Sequence, residues 1–170
     1  ALSGRCHIGR IARSVSAEDS PRLFTPPLRL LGFLSGAGLD ATEEWGSLAA
    51  AFDIAPGCAG EAPSPPSCCA GAAQLCIGQA ALLAQAQAEC AAGAHPSITV
   101  GPMPVDAMEL EDQVRAARPH ILHFFCHGKA EMGAAFLELA NAVDHAVPGR
   151  AGSIALAIDT LAQLEGLRNT

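Results

Sequence analysis

The segment Arg118-Pro119-His120-Ile121-Leu122-His123-Phe124-Phe125-Cys126-His127-Gly128 is an apolar, β-favouring run entered through a proline and left through His-Gly. Such a run leaves no face for solvent, so it predicts a strand over 120–126 buried on both sides, as in a parallel sheet covered by helices. Upstream, Leu28-Arg29-Leu30-Leu31-Gly32-Phe33-Leu34-Ser35 has the same character between Pro27 and Gly36, and a shorter strand over 97–101 is closed by Pro102 and Pro104. Helix signals lie between these strands. Asp40 or Thr42 can cap a helix in which Trp45, Leu48 and Phe52 share one face. Asp106 can cap another, with Met108, Leu110, Val114 and Ala117 as its apolar stripe. Strands alternating with helices predict an α/β fold with a mostly parallel sheet and helices on both faces.

The remaining segments fit around that core. Residues 1–27 read as a lead-in, with a short strand over Ile8 to Val15 and a connector at Pro21, Pro26 and Pro27. Residues 28–170 read as the core, and 53–96 within it as an insertion. From Pro56 to Cys69 the insertion is an irregular Pro-, Gly-, Ser- and Cys-rich loop. From Ala72 to Ala92 its many Ala, Gln and Leu residues predict one helix. Ala135 to Leu139 reads as a hairpin arm, and Ser153 as the cap of a last helix through Ile154, Ile158, Leu161 and Leu164.

Bulk composition narrows the function classes. Half of the 170 residues are apolar and 16% are charged, which suits a packed domain. The net charge is −7, and Lys and Arg never cluster, so nucleic acid is not an expected partner. The longest apolar stretch, Ala70 to Ala94, is interrupted by Gln74, Gln79, Gln85, Gln87 and Glu89, so no membrane association is expected. Seven cysteines without repeated spacing favour reduced thiols and a cytoplasmic location over a disulfide framework.

In open α/β sheets, chemistry gathers where strands end. His127 is the first polar residue after the buried strand, placed to act as general base or acid near neutral pH, and Gly128 can offer its N–H to a developing oxyanion. A lone His-Gly at a strand end is more often an ordinary turn. The wider order of motifs argues otherwise. Ile121-Leu122-His123-Phe124, two further residues and then His127-Gly128 resemble the core motif of CHAT domains, caspase-like cysteine peptidase relatives often attached to tetratricopeptide repeats. Leu28 to Ser35 resembles the first core strand of that family, and Glu43-Glu44-Trp45 its helix start. The helix from Asp106 to Ala117, the arm Ala135-Phe136-Leu137-Glu138-Leu139 and the lead-in Arg10 to Val15 follow in the same order.

The resemblance implies a caspase-like three-layer fold and a cysteine endopeptidase with a His–Cys dyad. His127 would activate the thiol or protonate the leaving amine, Gly128 would be the oxyanion donor, and a protein or peptide would be the substrate. His123 would be a hydrogen-bonded strand residue that orients the loop carrying His127. Tetratricopeptide or effector domains of a parent chain would be the partners. The family's nucleophile ends the next strand; no cysteine follows Cys126, so that residue is unknown and expected beyond Thr170. The 170 residues alone are therefore expected to be inactive, and a non-catalytic scaffold or interaction module is the alternative.

Other chemistries fit the residues less well. Cys126 is adjacent to His127 on a strand and so faces away from it, which suits a buried thiol rather than a nucleophile. Cys58, Cys68, Cys69 and Cys76 lack a paired C-x-x-C repeat, and His120, His123 and His127 share a face only in a helix, so no metal is expected. No cofactor is expected either. Ser35-Gly36-Ala37-Gly38, with Ala41 in the third glycine position, leaves nucleotide binding as a lesser alternative, but no acidic residue closes a second strand at the required distance.

Overall fold

A computed structural model describes residues 28–52 and 71–161. Seven strands and five helices alternate through them. The first four strands are β1 (Leu28–Leu34), β2 (Gly71–Ile77), β3 (Ile98–Pro102) and β4 (Ile121–Phe125). They form one all-parallel sheet in the order β3-β2-β1-β4. Helices α1 (Thr42–Phe52), α2 (Ala80–Ala91) and α3 (Ala107–Ala117) are the crossovers. The α/β fold with helices on both faces is therefore observed, and three of its four parallel strands fall where the apolar runs placed them.

Strand pleat and crossover direction explain the layers. The chain steps from β1 to β2 to β3 in one direction, then returns past β1 to β4. Right-handed crossovers must therefore place α1 and α2 on one face and α3 on the other. The core divides accordingly. Leu30, Leu34, Leu75 and Ile77 pack with Trp45, Ala49, Leu82 and Ala86 on one face. On the other, Leu31, Phe33 and Cys76 pack with Leu110 and Val114. Phe33 stacks on Phe124, with ring centroids 5.4 Å apart.

A second, antiparallel sheet of β5 (His127–Glu131), β6 (Ala134–Leu139) and β7 (Ile154–Ala157) joins the α3 side through Leu139, Ile154 and Leu156. The β5–β6 pairing supplies the expected hairpin arm. Its two-residue turn, Met132 at φ 51° and Gly133 at φ 81°, has the double positive φ that matches strand twist. Helices α4 (Ala142–His145) and α5 (Ile158–Leu161) complete the order.

Four expectations are corrected. The strand over 120–126 is not buried on both sides: β4 ends the sheet order, its side chains are only half-buried and Ile121 is 43% exposed. The segment 72–92 is not one helix: Gly71–Ile77 is strand β2, paired with β1 along its whole length, and only Ala80–Ala91 is helical. Gly71–Ile77 is thus a strand of the sheet, and α2 packs on it through Leu82 and Ala86. The helix from Ser153 begins later, because Ile154 and Leu156 alternate with small residues and pair with β6 as β7. Met108 is 71% exposed, and Met103 fills the core beside Leu110 and Val114 instead. The expected strand over Ile8 to Val15, the loop from Pro56 to Cys69 and Leu164 lie outside the described residues.

Candidate functional site

The strand order reverses between β1 and β4, and the crevice outside the carboxyl ends of two such parallel strands is where open α/β sheets place ligands. His127 opens β5 one residue beyond β4, and Ala37 lies just past β1. The His127 Nε2 is 2.7 Å from the Ala37 carbonyl oxygen. A carbonyl only accepts, so Nε2 carries the hydrogen; in the neutral ring Nδ1 then keeps its lone pair. The imidazole is exposed, held by one backbone bond across the switch point, and its second nitrogen is available to take a proton.

A pocket of about 970 Å³ opens around this ring. Its walls are the β1–α1 loop from Ala37 to Asp40, the start of α2, the His127–Lys129 edge, and the segment from Ala142 to Ala151. Gly128 lies on that wall opposite Leu137 of β6, and nothing lies within 4 Å of where a Cβ would be, so its backbone borders open space. The Ser35–Gly38 loop turns tightly, with Leu39 N–H donating to the Gly36 carbonyl and the Leu39 side chain packed on Gly36. It turns the Ala37 carbonyl to the His127 ring.

The other histidines are dispersed. His123 of β4 lies opposite Gly32 of β1, with Nε2 2.9 Å from the Glu44 carboxylate of α1. It therefore stands between β4 and α1, at ion-pair distance from Glu44 but not aligned for a hydrogen bond. The Nδ1 of His120 accepts from the Arg29 N–H and its own N–H donates to the Arg29 carbonyl, fixing where β1 and β4 begin. Among the described residues no group of three His, Cys, Asp or Glu is placed to hold a metal ion. No helix among them is long and apolar enough to cross a membrane.

Neither thiol near the sheet suits a nucleophile. Burial and the Glu138 charge push Cys126 up to about 11, and burial with Glu109 pushes Cys76 up to about 12. The Cys76 Sγ donates to the Gln113 amide oxygen on the α3 face. Such thiols stay protonated at neutral pH and react poorly. No described cysteine lines the pocket. Cys58, Cys68 and Cys69 lie outside the described residues.

Two buried polar groups build the site, and only one of them, Asp144, has a local sequence pattern behind it. Ser35, fully buried at the end of β1, donates its hydroxyl to the Ala140 carbonyl, and the Ala140 N–H returns a bond to its Oγ at 2.7 Å. This clamp docks the end of β6 onto the parallel sheet and so sets the hairpin that begins with His127. Asp144 is 1% exposed. Its Oδ2 receives the Asn141 N–H at 3.0 Å and the Ser153 N–H and hydroxyl at 2.9 and 2.6 Å, while Oδ1 meets Arg150 Nε at 2.9 Å. Burial pushes this carboxyl up, but those donors and the guanidinium outweigh it and hold it below the usual range. The Asn141-Ala142-Val143-Asp144 spacing is a capping box, which the sequence displays. His145 lies half-buried beside it, held below its ordinary value by desolvation against the opposing Asp144 charge. No family model, curated protein or solved structure matches the chain.

Proposed function

We propose that this chain carries the histidine half of a CHAT-type, caspase-like cysteine endopeptidase site. The carrying observation is the bond from His127 Nε2–H to the Ala37 carbonyl across the β1/β4 switch point. It orients the ring and leaves Nδ1 as the base, the arrangement that proton transfer from a thiol needs. Gly128 would offer its N–H to the carbonyl oxygen of a bound peptide. The nucleophile would come from outside the described residues. Among those residues β4 pairs only with β1, and its apolar side chains are partly exposed, so its other edge can accept the strand that would bring a cysteine toward Nδ1. Attack on the scissile carbonyl would move the thiol proton to His127, which would return it to the leaving amine.

The test is peptide cleavage by the protein expressed with the coding sequence that follows Thr170, read by mass spectrometry on a mixed peptide library. Cleavage abolished by His127→Ala supports the reading. Cleavage that survives that substitution contradicts it.

A second reading, a non-catalytic caspase-like interaction module, is favoured by one observation: no described thiol lines the pocket. Its partners would be tetratricopeptide or effector domains of a parent chain. It predicts no cleavage by any length of chain, and retained partner capture by His127→Ala.

A further inference from the structure

His145 ends α4 with its ring against the residue that follows β2. A Cβ on Gly78 would lie 2.6 Å from the ring's Nε2 and 2.7 Å from the Ala140 carbonyl oxygen, so the ring edge rests on bare glycine backbone. Nε2 is sealed from solvent there and has no hydrogen-bond partner. A neutral imidazole tolerates this seat, because it can keep its one hydrogen on Nδ1 and leave Nε2 bare. A protonated ring carries hydrogen on both nitrogens, and a charged N–H buried without an acceptor is far more costly. Residues 146–151, just beyond the ring, are exposed and form one wall of the pocket. The Asn141–Asp144 box and the Arg150–Asp144 pair hold this segment together; the His145 ring seats it on the parallel sheet.

The charged groups nearby do not supply the missing acceptor. On the same segment Asp144 spends its oxygens on Asn141, Ser153 and Arg150. The end of β2 and the start of α2 bring Gly78, Gln79, Ala80 and Ala81, none of them charged, and Gln79 Oε1 is likewise sealed without a partner. From β6, Glu138 accepts from the Gly152 N–H. The other charged or titratable groups lining the pocket are Asp40, bonded to Thr42, and His127 and Lys129 of β5. Burial disfavours the charged ring and outweighs the favourable Asp144 charge, which holds His145 below its ordinary value.

We propose that His145 is an acid-released latch: its neutral ring holds the Ala142–Ala151 wall on the Gly78 backbone, and protonation frees the wall and loosens the pocket. The released ring reaches water and takes up its proton at an ordinary histidine value, so the open form gains on the closed one as pH falls below about 6.5. Asp144 keeps its charge through that window, because its own carboxyl titrates below the usual carboxylate range. The latch does not depend on His127 acting as a base.

The test follows the imidazole signals of the 170-residue protein, and relaxation dispersion of its amides, between about pH 7.5 and about pH 5.5. His145 should titrate below about 6.5, and the open population read at Ala142–Ala151 should rise about three- to tenfold across that range, with no such exchange in β1. His145→Phe keeps a flat ring and removes the titration, so it should abolish the rise; His145→Leu makes the same claim if the larger ring does not fit. His127→Ala should leave the rise in place, so failure of the latch and failure of the peptidase reading are separately readable. Titration of His145 at or above about 6.5, the outcome if its Nε2–H finds Gln79 Oε1 instead, overturns the latch. So does an open population that ignores pH in the unaltered protein, or a rise that survives both His145 variants.

Discussion

Ser35 and Asp144 do more for the site than their positions in the chain suggest. Ser35 is a buried hydroxyl whose donor and acceptor sides are both used by Ala140; Ser35→Ala takes the donor from the buried Ala140 carbonyl, while the Ala140 N–H keeps its bond to the Ser35 carbonyl. We expect a loss of about 1–3 kcal/mol in urea unfolding, with larger amide shifts at the β5–β6 hairpin than elsewhere. Asp144 has the opposite visibility to pH. Its folded pKa is depressed, so its bonds stabilise the protein fully above the unfolded value of about 3.9, and that stability is lost as pH falls through the lower folded value. Asp144→Asn should flatten the acid limb of a stability-against-pH curve; an unchanged limb would place the acid sensitivity elsewhere. His127 could be nominated from sequence because it ends an apolar run. Ser35 could not, since a serine after a strand looks like any loop residue until Ala140, 105 positions away, is known to meet it.

Elements show where local propensity and long-range packing compete. Gly71–Ile77 is rich in alanine and followed by a strongly helical segment, so propensity alone extends the helix backwards over it. The segment is a strand because Leu75, Cys76 and Ile77 are buried on both sides between β1 and β3, a gain in burial that outweighs a few tenths of a kcal/mol per residue of propensity. Gly78 was the available signal: a Cβ there would lie 2.6 Å from the His145 ring and 2.7 Å from the Ala140 carbonyl, so the chain must end the strand on a glycine where α4 crosses it. By contrast β1 and β4 were readable because their runs are β-branched, aromatic or Leu-rich and carry proline boundaries. The β5–β6 turn offers a separate check. Met132 is wholly exposed and sits at φ 51°, where an L side chain is disfavoured. Met132→Asn should raise stability by up to about 1 kcal/mol, measured as a shift in the denaturant midpoint without a change in slope.

For the molecule as a whole, one parallel sheet sorts its side chains into two cores, and the reversal of strand order between β1 and β4 decides where they leave a crevice. Phe33, fully buried and stacked on Phe124, belongs to the α3-side core, which also carries the antiparallel sheet. Phe33→Ala should therefore cost about 3–5 kcal/mol and loosen the hairpin of His127, whereas His127→Ala, at an exposed position, should change stability by less than about 0.5 kcal/mol. Equal losses from the two variants would mean that the His127–Ala37 bond is a structural tie rather than an orienting one. The same architecture makes the open edge of β4 the place from which a partner group would have to approach Nδ1. Reading the native transcript beyond the Thr170 codon asks directly whether such a group exists. The peptidase reading predicts an apolar strand ending in cysteine within the next few dozen codons; a stop codon there, or a strand that ends without cysteine, would contradict it.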